Sequence, residues 1–329
     1  MTGFVAPGAS IGFLGPRGTF TEEALRSDPR LAAGDLRPMR SFVHVLDAVS
    51  SGDIDYGFLA IENSIEGTVS ITMDQLVFEQ ELLIVGEVVL PVTQNLLGRP
   101  GLTLADIKRV VSFPHATGQC RSWLATNLPD VAEVAASSTA EAVRQVGEDT
   151  TGEEGHTAAI GTALAATLYG LQVLAAGIED HDSNSTRFVL VARPETGVPA
   201  PTGHDKTSVV CFQSADRPGS LHGILGQFSA RDLNLVKLES RPTKRGLGDY
   251  CFIIDFEGHV ADEMVADCLR DLHAGLRSLK FLGSYPAAGE RGPGVRQAAS
   301  AAWHAADLWI GDIRAKVKGA ASEPGRTGP

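Results

Sequence analysis

From Ile11 onward, apolar runs of strand length alternate with segments of helical period, and the alternation breaks once, at RPETGVPAPTGHDK, residues 193–206. Three prolines and two glycines there leave neither period intact, so the chain divides at this point. Upstream, IGFLG, IDYGFLAIE, ELLIVGEVVL, RVVSF, VAEVAA, TAAIG and LQVLA read as strands. In SFVHVLDAV, Phe42, Val45, Leu46 and Val49 fall at i, i+3, i+4 and i+7, one helical face, with Ser41 as N-cap. A further helix is predicted from Thr21, another around Met73 and Leu76, and Thr103-x-x-Asp106 and Ser138-x-x-Glu141 have capping-box spacing. Strands separated by helices predict a parallel sheet.

Downstream the order is strand (TSVVCFQ), helix (PGSLHGILGQFSARD), strand (NLVKLESR), turn, strand (DYCFIIDFE), helix (ADEMVADCLRDLHAG), strand (LKFLGSY). That is βαββαβ, the ferredoxin-like order. With 329 residues the chain exceeds one ordinary core. The expected organisation is an α/β domain over 10–193, a linker over 194–206, a βαββαβ domain over 207–286 and an extension over 287–329. One amphipathic helix in the extension, with Trp303, Ala306, Ile310 and Ile313 on a face, is predicted to cover its own domain or a neighbouring subunit.

A formal net charge of −12 and the lack of a basic stripe argue against a nucleic-acid partner. No apolar run approaches a membrane span, and MTGFVAPGASIGFLG lacks the parts of a secretory signal, so no membrane partner is expected and the cytoplasm is the predicted compartment. Cys120, Cys211, Cys251 and Cys268 stand far apart with no histidine at ligand spacing, which predicts reduced thiols and no metal.

Four polar clusters sit where apolar runs end, the place where open α/β sheets bind ligands. GPRGTFTEEA places Thr19 and Glu22 at a helix start, AIENSIEGTVS places Glu62, Asn63 and Ser64 after a strand, and VVSFPHATGQC places Ser112 and His115 around Pro114. NSTRFVLV sets Thr186 and Arg187 at a strand mouth. Taken singly, each is also explained as a cap, turn or strand edge, and Glu66, Asp74 and Asp182 by solvation of loops and helix ends.

Together and in this order, GPRGTFTEEA, AIENSIEGTVS, SFPHATGQC, HTAAIGTALAATLYGL and NSTRFVLV resemble the prephenate dehydratase family across residues 10–193. RPGSLHGILGQF followed by NLVKLESRP is similar to the ACT regulatory domain that follows the dehydratase domain in that family, and the chain looks like its monofunctional form. Two departures stand out: the common S-H-P-Q-A-L reads Ser112-Phe113-Pro114-His115-Ala116-Thr117 here, and G-A-L reads Gly219-Ser220-Leu221. The resemblance implies two α/β lobes like type II periplasmic binding proteins, with prephenate in the cleft between them, losing CO2 and water to give phenylpyruvate without a cofactor or metal. It implies Thr186 as donor to the leaving hydroxyl and Arg187 as a carboxylate clamp, with Thr19, Asn63, Ser64 and Ser112 completing the cradle and Phe188 shaping an apolar wall. For the ACT domain it implies L-phenylalanine as allosteric ligand near Gly219, Ser220, Leu221, Asn234 and Leu235, with Glu239, Ser240, Arg241 and Pro242 across the seam of a homodimer or homotetramer. Arogenate as substrate, or a non-catalytic two-lobed sensor of organic anions, are the alternatives.

Overall fold

The structure, a computed structural model, describes residues 5–149, 155–181, 183–213, 217–244, 249–289, 306 and 308–316. It forms two compact units, one of Met1–Ala200 with Phe281–Gly289, the other of Pro201–Lys280 with Glu290–Pro329. The predicted helix face at Trp303 and the loop residue Asp182 lie outside the described residues.

In chain order the first unit contains β1 (Ser10–Leu14), α1 (Phe20–Ser27), α2 (Pro29–Ala32), β2 (Asp35–Met39), α3 (Phe42–Ser51), β3 (Tyr56–Asn63), β4 (Gly67–Thr68) and α4 (Ser70–Asp74). A π turn, Gln75–Glu79, extends α4 before β5 (Leu83–Pro91). A second lobe follows: β6 (Asn95–Gly98), β7 (Arg109–Ser112), α5 (Pro114–Gln119), α6 (Arg121–Asn127), β8 (Ala132–Ala135), α7 (Thr139–Glu148), β9 (Thr157–Gly161), α8 (Ala163–Tyr169) and β10 (Gln172–Ala175). The chain then returns to the first lobe as β11 (Ser185–Ala192).

Each lobe is built on its own sheet, ordered β2-β1-β3-β11-β5 with β4 on β3, and β10-β6-β9-β7-β8. The lobes are joined by two crossing segments, residues 92–94 and 176–184, which is the connectivity of type II periplasmic binding proteins. The sheets are mixed, and this corrects the parallel sheet expected from the alternation. The β1/β2, β1/β3, β7/β8 and β7/β9 pairs are parallel. The returning β11 runs antiparallel to both β3 and β5, and β6 runs antiparallel to β9 and β10. A strand that has crossed to the other lobe and back enters its sheet from the opposite end, so its direction is set by the crossing and not by its apolar pattern.

Local chemistry fixes the helix starts. Ser41 accepts the N–H of His44 and Ser138 that of Glu141, as their spacing predicts. Thr103 and Asp106 do form a reciprocal capping box, but the turn it caps is the three-residue 3-10 segment Leu104–Asp106. The first lobe's core joins Ile11, Phe13, Leu25, Phe58, Phe188 and Leu190. The second lobe buries Val110, Leu124 and Ile160 in one cluster and Val111, Val143 and Ala159 in another.

Beyond Ala200 come β12 (Asp205–Phe212), α9 (Ser220–Ser229), β13 (Leu235–Pro242), β14 (Tyr250–Glu257), α10 (Glu263–Gly275) and β15 (Ser278–Pro286), of which β15 belongs to the first unit from Phe281 on and the rest to the second. The sheet order is β13-β14-β12-β15, the ferredoxin-like βαββαβ arrangement. Phe228 of α9 meets Phe256 of β14 edge-on at 5.0 Å. Strand β13 is an edge whose burial alternates, leaving Val236 and Leu238 exposed. In the extension residues 308–315 are helical, and Leu308, Trp309 and Ile313 on it are exposed. Among the described residues no helix is long and apolar enough to cross a membrane.

Candidate active site

Strand β3 ends in Asn63 and β11 begins beside it, with Thr186 directly opposite Asn63 in register. Asn63 Oδ1 accepts the backbone N–H groups of Ile65 and Glu66, both at 3.0 Å, which orients the amide. Its Nδ2 therefore faces the other way, donating to Asn184 Oδ1 at 2.7 Å and Thr186 Oγ1 at 2.9 Å, with Ser185 O at 3.2 Å. Ser64 stitches the same two segments together: its hydroxyl donates to Ser183 O at 3.2 Å and accepts from Ser185 N at 2.9 Å. Asn63, Ser64 and Thr186 are thus brought together as the sequence suggested, around a fourth residue, Asn184, that it did not single out. Side chains alternate along a strand, so the position two before Thr186 was the place to look.

The same alternation removes Arg187 from the cleft. Opposite Glu62 in register, it points to the other face of the sheet, where Glu87 lies at 2.6 Å, Glu62 at 3.4 Å and the Tyr285 hydroxyl at 2.7 Å. Its side chain is 10% exposed and that of Glu87 is fully buried. A guanidinium inside such a set is a structural ion pair. Taking it out to hold a substrate would strand the buried Glu87 charge, which corrects the clamp role expected of it.

Two further expectations are corrected by burial and bonding, and a third is narrowed. Phe188 is 1% exposed and stacks on Phe58 with centroids 5.4 Å apart, so it belongs to the core and not to a cleft wall. Ser112 is fully buried and donates to Ile160 O at 3.0 Å, tying β7 to β9. Thr19, half-buried, caps α1 by accepting Glu22 N and donates its hydrogen to Leu14 O at 3.2 Å, which leaves one oxygen lone pair for a ligand.

Among the described residues, hydrogen bonds tie the second lobe to the rest of the first unit at two places bearing on the cleft. At one, Thr162 Oγ1 caps α8 and donates to Gly18 O at 2.8 Å, while Tyr169 donates to Arg17 O at 3.3 Å. Gly18 has a φ of +86° and a side chain there would press on Ala165, so glycine is what lets α8 approach this loop. Glu23 of α1 accepts the N–H of Leu164, and burial pushes its carboxyl up from the ordinary value. At the other, a chain of side chains runs from the crossing segment to the mouth. Gln94 Nε2 donates to Gln119 Oε1 at 3.2 Å, Gln119 Nε2 meets His115 Nε2 at 2.8 Å, and Glu66 Oε1 lies 3.4 Å from that nitrogen. With Gln119 Oε1 already an acceptor, its Nε2 donates, and His115 Nε2 is the acceptor of that bond. Gln94 and Gln119 carried no strand-end signal of their own. Asp74 closes α4. No group of three or more His, Cys, Asp or Glu side chains is placed to hold a metal among the described residues.

In the second unit, Gly219 precedes α9 in the left-handed region at φ +88°, and Ser220 Oγ donates to Arg217 O at 2.7 Å. A cavity of about 360 Å³ opens there, lined by Gly219 and Ser220 with Gln213, Arg217, Gln227 and Asp271 among others. Leu221, Asn234, Leu235, Glu239, Ser240, Arg241 and Pro242 are not in its lining. Asn234 O accepts from Glu257 N, and Glu239 pairs along β13 with Arg241 at 2.8 Å and Lys237 at 3.5 Å.

The family model described as prephenate dehydratase matches residues 11–196, and the ACT domain model matches residues 207–274. A prephenate dehydratase of Mycobacterium leprae is 41% identical over 325 residues, covering 96% of this chain and 98% of that protein. The crystal structure of a prephenate dehydratase in complex with L-Phe from Arthrobacter aurescens superposes with a TM-score of 0.82 at 42% identity, covering 92% of this chain and 99% of that one. A protein named as a novel type of quorum quenching acylase superposes with a TM-score of 0.75 at 31% identity, covering 87% and 100%. With its dehydratase region and its ACT region both matched, and relatives aligned over nearly their whole length, the chain belongs to the prephenate dehydratase family.

Proposed function

We propose that this chain is a hydro-lyase that converts prephenate to phenylpyruvate, with Thr186 as donor to the departing hydroxyl. In the reaction the carbon–carboxylate bond breaks, its electron pair enters the ring, and the ring C–O bond breaks on the opposite side. Prephenate and one proton give phenylpyruvate, CO2 and water, and aromatisation drives the step. Hydroxide leaves poorly, so the demand on the protein is a hydrogen aimed at that oxygen.

The observation that carries the reading is the direction of the Asn63–Thr186 bond. Thr186 Oγ1 accepts from Asn63, so its own hydrogen points elsewhere, and no acceptor for it is seen among the described residues. A threonine hydroxyl is too weak an acid to ionise here, so it donates or relays. Replacing Thr186 by Val keeps the β-branched shape and removes the hydrogen. The kcat is expected to fall about 10² to 10⁴-fold with KM little changed, and a near-normal kcat would remove Thr186 from the role. Assay of the unaltered chain with prephenate and, separately, arogenate decides between the two substrates.

Amide hydrolysis finds no support in this site. Burial pushes the thiols of Cys120, Cys211 and Cys268 up to about 12, and His115 Nε2 faces the Gln119 amide and not a hydroxyl.

The ACT unit is the seat of control, with L-phenylalanine as its ligand and the pairing of two copies along β13 completing the site. Gly219 and Ser220 at the cavity supply one half, and the β13 segment of a second copy is suited to supply the other, which accounts for its distance from the cavity in one chain. The exposed Val236 and Leu238 on that edge strand fit such pairing. Gly219→Val forces a β-branched residue into the left-handed region. It is expected to weaken phenylalanine in isothermal titration while leaving prephenate turnover without effector near normal; unchanged phenylalanine binding would move the effector elsewhere.

A further inference from the structure

We propose that Asn184 is a positioning residue for the reaction, setting the Thr186 hydroxyl through Asn63. The inference rests on the reading of Thr186 as donor. Asn184 is 3% exposed and lies at the end of the second crossing segment, immediately before β11. Its backbone carbonyl accepts the N–H of Val92, in the first crossing segment, at 2.8 Å. Its side-chain oxygen accepts from Asn63 Nδ2 at 2.7 Å, the shortest of that nitrogen's three contacts.

An amide nitrogen has two hydrogens and cannot serve three acceptors fully. With one hydrogen held by Asn184 and Asn63 Oδ1 pinned by Ile65 and Glu66, the other is directed to Thr186 Oγ1. That bond takes an oxygen lone pair of Thr186 and leaves its hydrogen to turn toward the cleft. Without the Asn184 oxygen, the amide is free to favour Ser185 O, and the Thr186 rotor loses its direction. The Asn184 carbonyl bond is one of several between the two crossing segments, beside Ile178 N–H to Gln94 O and Gln94 N–H to Glu179 Oε2, so the alignment of the donor is tied to the segments that join the lobes. Asn184 itself touches no reacting atom in this account.

The test is a cycle of variants. Asn184→Leu keeps the size and removes the acceptor, and is expected to lower kcat about tenfold with KM within about twofold of normal. In the Thr186→Val background the same change is expected to alter kcat by less than about twofold, since there is no hydroxyl left to aim. Asn184→Ala, run through the same cycle, serves if the leucine variant does not fold. An unchanged kcat in the native background, or an equal loss in both backgrounds, overturns the proposal. A Thr186→Val enzyme with normal kcat would instead overturn the donor reading on which it rests, and the two failures are told apart by that single variant.

Discussion

Glu23 shows how one side chain can record whether the lobes are closed. Its carboxyl sits between α1 and α8, where burial raises its pKa and the Leu164 N–H opposes the rise only in part. A folded-state value above the unfolded one means that the stabilising form is the protonated one. Its contribution is complete below the ordinary glutamate value of about 4.3 and is lost as pH rises through the folded value. Glu23→Gln holds the side chain in a permanently neutral form that still accepts from Leu164. The variant is expected to melt at a higher temperature than the native chain at pH 7 to 8, with the gap closing as pH falls toward about 4.5. Thermal melts across that range check it, and a constant gap would show that the carboxyl's charge is not the cause. At this scale the sequence was partly legible. Strand alternation alone tells that Thr186 and Arg187 face opposite ways, so one of two neighbouring candidates had to be wrong. That Arg187 was the one turned away depends on Glu87 and Tyr285, distant in sequence, and nothing local marks them.

Among elements, the start of α5 departs from S-H-P-Q-A-L, with phenylalanine at position 113 just before the helix and histidine at position 115 within it. In the fold this histidine faces across the mouth of the cleft toward Glu66, with both side chains about half exposed. With its Nε2 accepting from Gln119, the imidazole has no hydrogen there to offer Glu66, so the Gln119 bond, worth about 1 kcal/mol, is the contribution that counts. His115→Ala is therefore expected to raise KM several-fold by loosening closure, with kcat within about threefold of normal. Steady-state kinetics decide it: a hundredfold fall in kcat would make His115 an acid in the reaction. Caps at Ser41 and Ser138 were legible because the signal lies within four residues. The direction of β11 was not, since an apolar run carries no arrow and the crossing that sets it is a property of the whole first unit.

At the scale of the whole chain, the first unit is not one continuous stretch, for Phe281–Gly289 belongs to it along with Met1–Ala200. The hydroxyl of Tyr285, fully buried, accepts from Arg187 Nη2, and the Ala288 N–H is held by Glu87 at 2.7 Å. Tyr285→Phe, which loses a hydrogen bond to a charged group, is expected to cost about 1.5 to 3 kcal/mol. A chain ending at Ala200 loses that bond, the Glu87 contact and the packing of the whole segment. It should keep less prephenate turnover after heating than Tyr285→Phe does, and equal survival of the two would reduce the segment's role to one hydroxyl. No periodicity in residues 281–289 announces this membership, because a strand at the end of a βαββαβ run reads the same whichever core it joins.

A chain leaves the ribosome from its N-terminus, and domains ordinarily fold as they emerge. Here Ala200 emerges with its unit still one segment short, and Phe281–Gly289 arrives only after Pro201–Lys280 has been synthesised. Until then Arg187 and Glu87 have each other but not Tyr285 or the Ala288 N–H. Order of synthesis thus makes the regulatory sequence a precondition for finishing the catalytic one. A gene fusion or deletion that separated them at residue 200 would break a unit of folding as well as a unit of control.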